Sequence, residues 1–320
     1  MSSAPSPVSS GASSATAAEG PPVLLGTSAF GQNERAFPVY DAYWEGGGRA
    51  FDTAWLYGHA YGPGCCERTF GAWAVSRGVE KDVRVLAKGA HTPECLPDRV
   101  EAQLAESLER MRRDDAALYM LHRDNPEVPV GEFVTVLAQL VERGLTGAYG
   151  MSNWSLTRVK EAVAYAREHG LPEPAGVSNQ FSLIDMVRPI YPGTVSANTP
   201  QWRAWLAEEG MCLYPWASQG RGAHALANPD ELRTGPLAES WYSEANTARL
   251  RRARELAGRE GISSTGIALA WTLSQPFPVV ALIGPRQPEE VRDSLTAMTY
   301  RLTGPEREWL ESGEGVLPGR

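Results

Sequence analysis

From Val23 onward, short apolar runs alternate with stretches whose apolar residues recur every three or four positions. A short apolar run between turn residues reads as a buried strand, and the wider spacing reads as an amphipathic helix. The first run is Val23-Leu24-Leu25-Gly26. A helical stretch over about 37–45 follows and stops at Gly46-Gly47-Gly48. Residues 50–52 form the next run, about 68–76 a helix, and 83–87 a strand. Pro97 opens a helix with Val100, Leu104, Leu108 and Met111 on one stripe. The strand 117–121 comes next, then a helix marked by Phe133, Leu137, Leu140 and Val141, then the strand 148–151. Ser155 caps a helix that runs to about His169. Strand 176–180, helix 202–209 and strand 211–214 complete the seventh unit. Helices fit 245–257 and 264–274, and the last strand, 279–283, precedes a helix over 288–297. Thr303 and Glu306 form a capping box for an extra C-terminal helix.

Eight strand–helix units without an internal linker predict the α/β class and a (β/α)8 TIM barrel over 21–320. An open doubly wound sheet is the rival, but it needs a glycine-rich phosphate turn after an early strand. The chain has no GxGxxG there, no Walker-type lysine loop, and its Gly46-Gly47-Gly48 run precedes a strand. The long stretches 181–201 and 218–243 are expected to cover the C-terminal face of the barrel.

Bulk properties narrow the partners. Of 320 residues, 42% are hydrophobic and 21% charged, which supports a large core. The net charge of −8 argues against nucleic acid as the main partner. Residues 1–20 are rich in Ser, Ala and Pro and lack the basic start and apolar run of a signal peptide, so they read as a disordered tail. No apolar run is long enough to cross a membrane. The four cysteines, Cys65, Cys66, Cys95 and Cys212, show no zinc spacing, so no metal site is expected and a reducing cytoplasm is the expected home. The oligomeric state is left open.

A barrel of this kind collects its chemistry at the C-terminal ends of its strands. Those ends carry Asp52 with Tyr57 just beyond, then Lys88, His122, Ser152-Asn153, Gln180, Tyr214 and Gly284-Pro285-Arg286. A tyrosine titrates near 10 when unperturbed, too high for an efficient acid at neutral pH. A neighbouring lysine is expected to lower that value, with an aspartate holding the lysine and a histidine orienting a carbonyl.

The segments FDTAWLYG (51–58), VLAKGA (85–90), LYMLHRDNP (118–126), GLTGAYGMSNW (144–154), SNQFSLID (178–185), LYPWASQG (213–220) and ALIGPRQPEEVRDSL (281–295) together resemble the aldo-keto reductase superfamily. The resemblance spans about 25–310. It implies a catalytic tetrad of Asp52, Tyr57, Lys88 and His122. It implies that Ser152, Asn153 and Gln180 bind a nicotinamide carboxamide and that Tyr214 stacks on the ring. Gly284, Arg286, Glu290 and Ser294 would hold the adenosine end, with Arg286 taking the 2′-phosphate, so that NADPH is favoured and NADH is the alternative. The chain departs from the family after Tyr57, where the link to Glu67 is longer and Cys66 replaces a usual serine. Trp55, Trp154 and Trp216 lie just past strand ends and are expected to wall a pocket for a sugar-like or bulky small-molecule carbonyl substrate.

The expected function is reduction of an aldehyde or ketone to an alcohol, with Tyr57 as general acid. A cofactor-binding regulatory subunit of the same fold is the alternative. A Schiff-base lyase using Lys88 and a barrel glycosidase are more distant rivals. Taken singly, each residue has a structural reading: an Asp52–Lys88 ion pair, a packed Tyr57, a core His122, or Ser152-Asn153 capping the next helix.

Overall fold

The computed structural model describes residues 21–31 and 33–314; the tail expected over 1–20 lies outside them. Strands β1 (Val23–Gly26), β2 (Ala50–Asp52), β3 (Arg84–Gly89), β4 (Leu118–Leu121), β5 (Tyr149–Ser152), β6 (Gly176–Ser178), β7 (Cys212–Leu213) and β8 (Ala281–Ile283) form one parallel sheet. Their order is β7-β6-β5-β4-β3-β2-β1-β8. The two ends meet where the Leu213 N–H donates to the Pro278 carbonyl and the Val280 N–H donates to the Leu213 carbonyl, both at 2.9 Å. The sheet therefore closes into the TIM barrel that the strand–helix count predicts.

Helices α1 (Asn33–Glu45), α2 (Cys65–Arg77), α3 (Pro97–Met111), α4 (Val130–Glu142), α5 (Leu156–Glu168) and α6 (Pro200–Glu209) alternate with the strands. After β7 come α7 (Ala238–Trp241), α8 (Glu244–Glu260) and α9 (Ser264–Leu273), and after β8 come α10 (Pro288–Ala297) and α11 (Gly304–Ser312). Local chemistry fixes many of these ends. Ser155, Thr199, Ser243 and Ser263 accept backbone N–H groups of the helices they open. Thr303 and Glu306 form the capping box of α11. No described helix is long and apolar enough to cross a membrane.

Strand alternation sorts the side chains into two layers. Val23, Leu25, Phe51, Val85, Tyr119 and Ile283 face outward into the helix layer. Leu24, Leu86, Leu118, Met120, Tyr214, Val280 and Leu282 face inward and fill the lower barrel.

The structure departs from the pattern-based elements mainly at β6 and β7. The run expected as strand 176–180 stops at Ser178, because Gln180 leaves the ladder for a different partner. Its N–H donates to the Val195 carbonyl at 2.9 Å, and its carbonyl accepts from the Ala197 N–H at 2.7 Å. The stretch 218–243 is not featureless. It holds two 3-10 turns, Gly220–Ala225 and Pro229–Arg233, besides α7. With α8 it builds a satellite core of Ile184, Ala223, Leu232, Trp241 and Leu250.

Candidate active site

The same inward rows that are apolar low in the barrel become polar at its upper rim. In β3 the inward positions are Leu86 and then Lys88; in β4 they are Leu118, Met120 and then His122. Asp52 ends β2, and its neighbour in the register is Leu86, while Lys88 pairs with Met120. The stagger between strands brings the Lys88 Nζ onto Asp52 Oδ1 in a short ion pair, with side chains only 2% and 3% exposed. Beyond β2, a turn closed by the Tyr57 N–H on the Ala54 carbonyl returns Tyr57 to the same spot. Its hydroxyl donates to Asp52 Oδ2 at 3.4 Å. The Lys88 Nζ lies 5.2 Å from the Tyr57 ring centroid. The His122 ring stands edge-on to Tyr57 at 5.6 Å between centroids. The structure thus brings Asp52, Tyr57, Lys88 and His122 together.

Burial dominates the electrostatics. It pushes Asp52 up and Lys88 down, each opposed by the attraction of the other. It pulls His122 well below an ordinary histidine, aided by the charges of Lys88 and Arg123, so the imidazole is neutral. The Tyr57 phenol is driven well above its usual value by burial and then by the Asp52 charge. This differs from the expected lowering by Lys88. The reason is geometric: Asp52 takes up the lysine, and the cation that works in the opposite sense on Tyr57 is Arg123. Tyr57 is a protonated phenol at neutral pH, and the Nδ1 of His122 is buried without a partner.

Across the mouth, β5 and β6 bring Ser152, Asn153 and Gln180 side by side. The Ser152 hydroxyl donates to the Ser178 carbonyl at 2.7 Å. Asn153 adopts a left-handed φ of 60°, which turns its amide back over the strand ends. Its Nδ2 donates to Ser152 Oγ and the His122 carbonyl, and its Oδ1 accepts from the Val195 N–H. Gln180 donates to Ser182 and accepts from the Ser196 hydroxyl at 2.6 Å. The Ser178 hydroxyl, buried next to this group, has no partner. Exchangeable amides around an orphaned hydroxyl fit a carboxamide guest.

Two expected residues lie elsewhere. Tyr214 does not reach the mouth: its ring packs among Leu24, Leu86, Leu118 and Met120 in the barrel interior. Alternation carries the next inward position to Trp216, half-buried at the level of Gln180, whose indole N–H donates to Asn153 Oδ1 at 3.1 Å. Trp216 is therefore the aromatic side chain beside the amide cluster. Trp154 is not a pocket wall either. It is fully buried in the outer layer against Phe133, and its indole N–H donates to the Arg123 carbonyl. The residue after Asn153 points away from the axis, so a position just past a strand end was a poor guide there. Trp55 remains at the rim, half-buried, with its indole N–H on Glu106 of α3.

At the end of β8, Gly284 is exposed and a side chain added there would meet nothing within 4 Å. Arg286 is exposed, and its backbone N–H donates to Glu290 Oε2 at 2.7 Å. Ser294 is buried beneath Gln219, which donates to its hydroxyl. Sequence reasoning passed over Arg123 and His91, which flank His122; Arg123 was visible as a charge directly after the β4 histidine in LYMLHRDNP.

The model of the Aldo/keto reductase family matches residues 22–311. The chain belongs to this family. By class it is an NAD(P)H-dependent oxidoreductase. Similar proteins include the uncharacterized oxidoreductase YrpG of Bacillus subtilis, 25% identical over 93% of this chain and 92% of that protein. Norsolorinic acid reductase stcV of Emericella nidulans is 28% identical over 89% of this chain and 76% of its own. Among solved structures, an aldo/keto reductase from Klebsiella pneumoniae in complex with NADP and acetate superposes with a TM-score of 0.68, at 20% identity over 91% of this chain and 90% of that one.

Proposed function

We propose that this aldo-keto reductase uses NADPH to reduce an aldehyde or ketone to an alcohol, with Tyr57 as the general acid. The observation that carries the reading is the buried cluster in which a protonated Tyr57 faces a neutral His122 beside the Asp52–Lys88 pair. When bound, the dihydronicotinamide supplies the hydride. Ser152, Asn153 and Gln180 exchange their present partners to hold its carboxamide, and Trp216, rather than Tyr214, covers its ring. Gly284 and Ser294 border the adenosine end. Glu290 is turned onto the Arg286 backbone, which leaves the exposed Arg286 guanidinium for a 2′-phosphate. This favours NADPH over NADH.

His122 orients the substrate carbonyl by a hydrogen bond. Tyr57 holds the proton against the Asp52 charge and passes it to the carbonyl oxygen as negative charge develops there. The resulting phenolate lies near the Lys88 ammonium and regains its proton from solvent. Trp55 and Trp216 leave an aromatic-walled entrance that suits a bulky or sugar-like carbonyl compound. A cytoplasmic location fits four free cysteines, three of which burial holds as thiols at a pKa of about 12.

Replacing Tyr57 by Phe removes only the hydroxyl. The expected result is a fall in kcat of about 10²–10⁴-fold with NADPH affinity retained. Wild-type turnover in that variant would end the general-acid reading. A panel of carbonyl compounds run with NADPH and NADH measures the cofactor preference directly.

A further inference from the structure

Arg123 follows His122 at the end of β4 and is 6% exposed. Its Nη1 donates to the carbonyl of His122 at 2.9 Å, and its Nε is buried without a partner. Among the described residues no carboxylate pairs with it. The adjacent Asp124 is taken by Arg158 at 2.9 Å. A guanidinium stays charged at ordinary pH, so burial cannot be relieved by losing the proton. An uncompensated buried charge is costly, and proteins keep one chiefly where a ligand completes it.

The position tells what that ligand is. In the barrel order, β4 stands opposite β8, so Arg123 is remote from the 284–294 segment assigned to the adenosine end. It shares its side of the mouth with Tyr57, His122 and His91, and its charge acts on the Tyr57 phenol. The rest of that wall brings no net charge: Lys88 is matched by Asp52, and burial keeps His91 and His122 below the ordinary histidine range. The 191–193 segment lies on the arginine stem; a Cβ at Gly193 would stand 3.5 Å from its Cδ. At this segment Arg221 stands over the Tyr191 ring at 6.0 Å, a second cation beside the entrance.

We propose that Arg123 recognises an anionic group on the substrate, so that the preferred substrate is a carbonyl compound also bearing a carboxylate or a phosphate. The inference rests on the reductase reading above and narrows its substrate class. The anion accepts from the guanidinium while the carbonyl oxygen is held at His122 and Tyr57, so one molecule is fixed at two points.

The test uses the full chain with NADPH and two matched pairs: 4-carboxybenzaldehyde against its methyl ester, and glyceraldehyde 3-phosphate against glyceraldehyde. The charged member of at least one pair is expected to have a kcat/KM higher by about tenfold or more. The first pair reports carboxylate recognition and the second phosphate recognition. In Arg123→Gln that ratio falls toward one, and Arg123→Lys retains part of it. Equal kcat/KM within both pairs in the wild type, or a ratio unchanged by Arg123→Gln, overturns the proposal. Calorimetry with 4-(hydroxymethyl)benzoate, the product alcohol, on the NADPH-bound protein, where it finds no hydride acceptor, separates this failure from failure of the reductase reading. Binding that is lost in Arg123→Gln supports the anion site even without turnover, and absence of wild-type binding together with absence of charged-substrate preference overturns it.

Discussion

The floor and the rim of the barrel are built from the same inward-facing rows of the same strands. At the floor, Leu24, Leu86, Leu118 and Met120 pack as in any apolar core. One step up, Asp52, Lys88, His122 and Gln180 are just as buried, yet polar. The contrast shows what each layer does. The floor gains stability from burying apolar surface, whereas the rim keeps ionisable groups where burial alone would expel them. It can do so because Asp52 and Lys88 match each other and His122 is held neutral.

The sharpest way to break this contrast is to leave one rim charge alone. Lys88→Met strands Asp52 in the interior, and a stability loss of about 3–5 kcal/mol is expected by denaturant unfolding. Adding Asp52→Asn should recover part of that loss. A single-variant cost under about 1 kcal/mol would mean that the rim is wetter than its geometry indicates. Leu118→Ala attacks the floor instead, with an expected cost of about 2–5 kcal/mol from lost burial and the cavity left behind. If the layers are separable, the folded variant keeps the pH profile of kcat/KM; a displaced profile would show that the floor also sets the charges above it.

A smaller effect comes from His224, which lies under the loop core with both ring nitrogens buried and unpartnered. Burial lowers its pKa from 6.5 to about 3. Between those values the unfolded chain holds one more proton than the folded one. Its stability contribution is therefore complete above about pH 6.5 and is lost as the pH falls toward about 3. From pH 6.5 to 5, His224→Leu should remove about 2 kcal/mol of the acid-induced stability loss. Parallel stability curves for variant and wild type would show that His224 is hydrated. The smallest expected effect is at the amide cluster: Trp216→Ala should raise the NADPH Kd about tenfold, read by fluorescence titration. An unchanged Kd would return the stacking role to another residue.

Much of the fold was legible because alternation and capping are local. Ser155, Thr303 and Glu306 announce helix starts from a few residues of sequence, and the run 23–26 matches β1 end to end. The meeting of Asp52, Lys88 and His122 was legible because each sits at or just past a strand end, where the barrel must deliver it to one rim, and Tyr57 follows Asp52 by one short turn. Tyr214 and Trp216 were harder to sort, because a strand end does not say how far an inward row rises before it meets solvent. Only the Gln180–Trp216 bridge fixes that height. Trp154 was misread since the left-handed turn at Asn153 reverses the direction of the following side chain. The value of Arg123 lay in a missing partner, and an absent contact leaves no mark in a linear pattern.

The closure of the barrel between β7 and β8 has a mechanical side. β7 is two residues long, the shortest strand in the ring. The bond from the Trp216 indole to Asn153 reaches across from the β7 strand end to that of β5, over the top of β6. It braces the short β7 from the side away from that closure. A molecule that takes over those two residues would replace this brace with itself, so filling the site and bracing the shortest strand become one act.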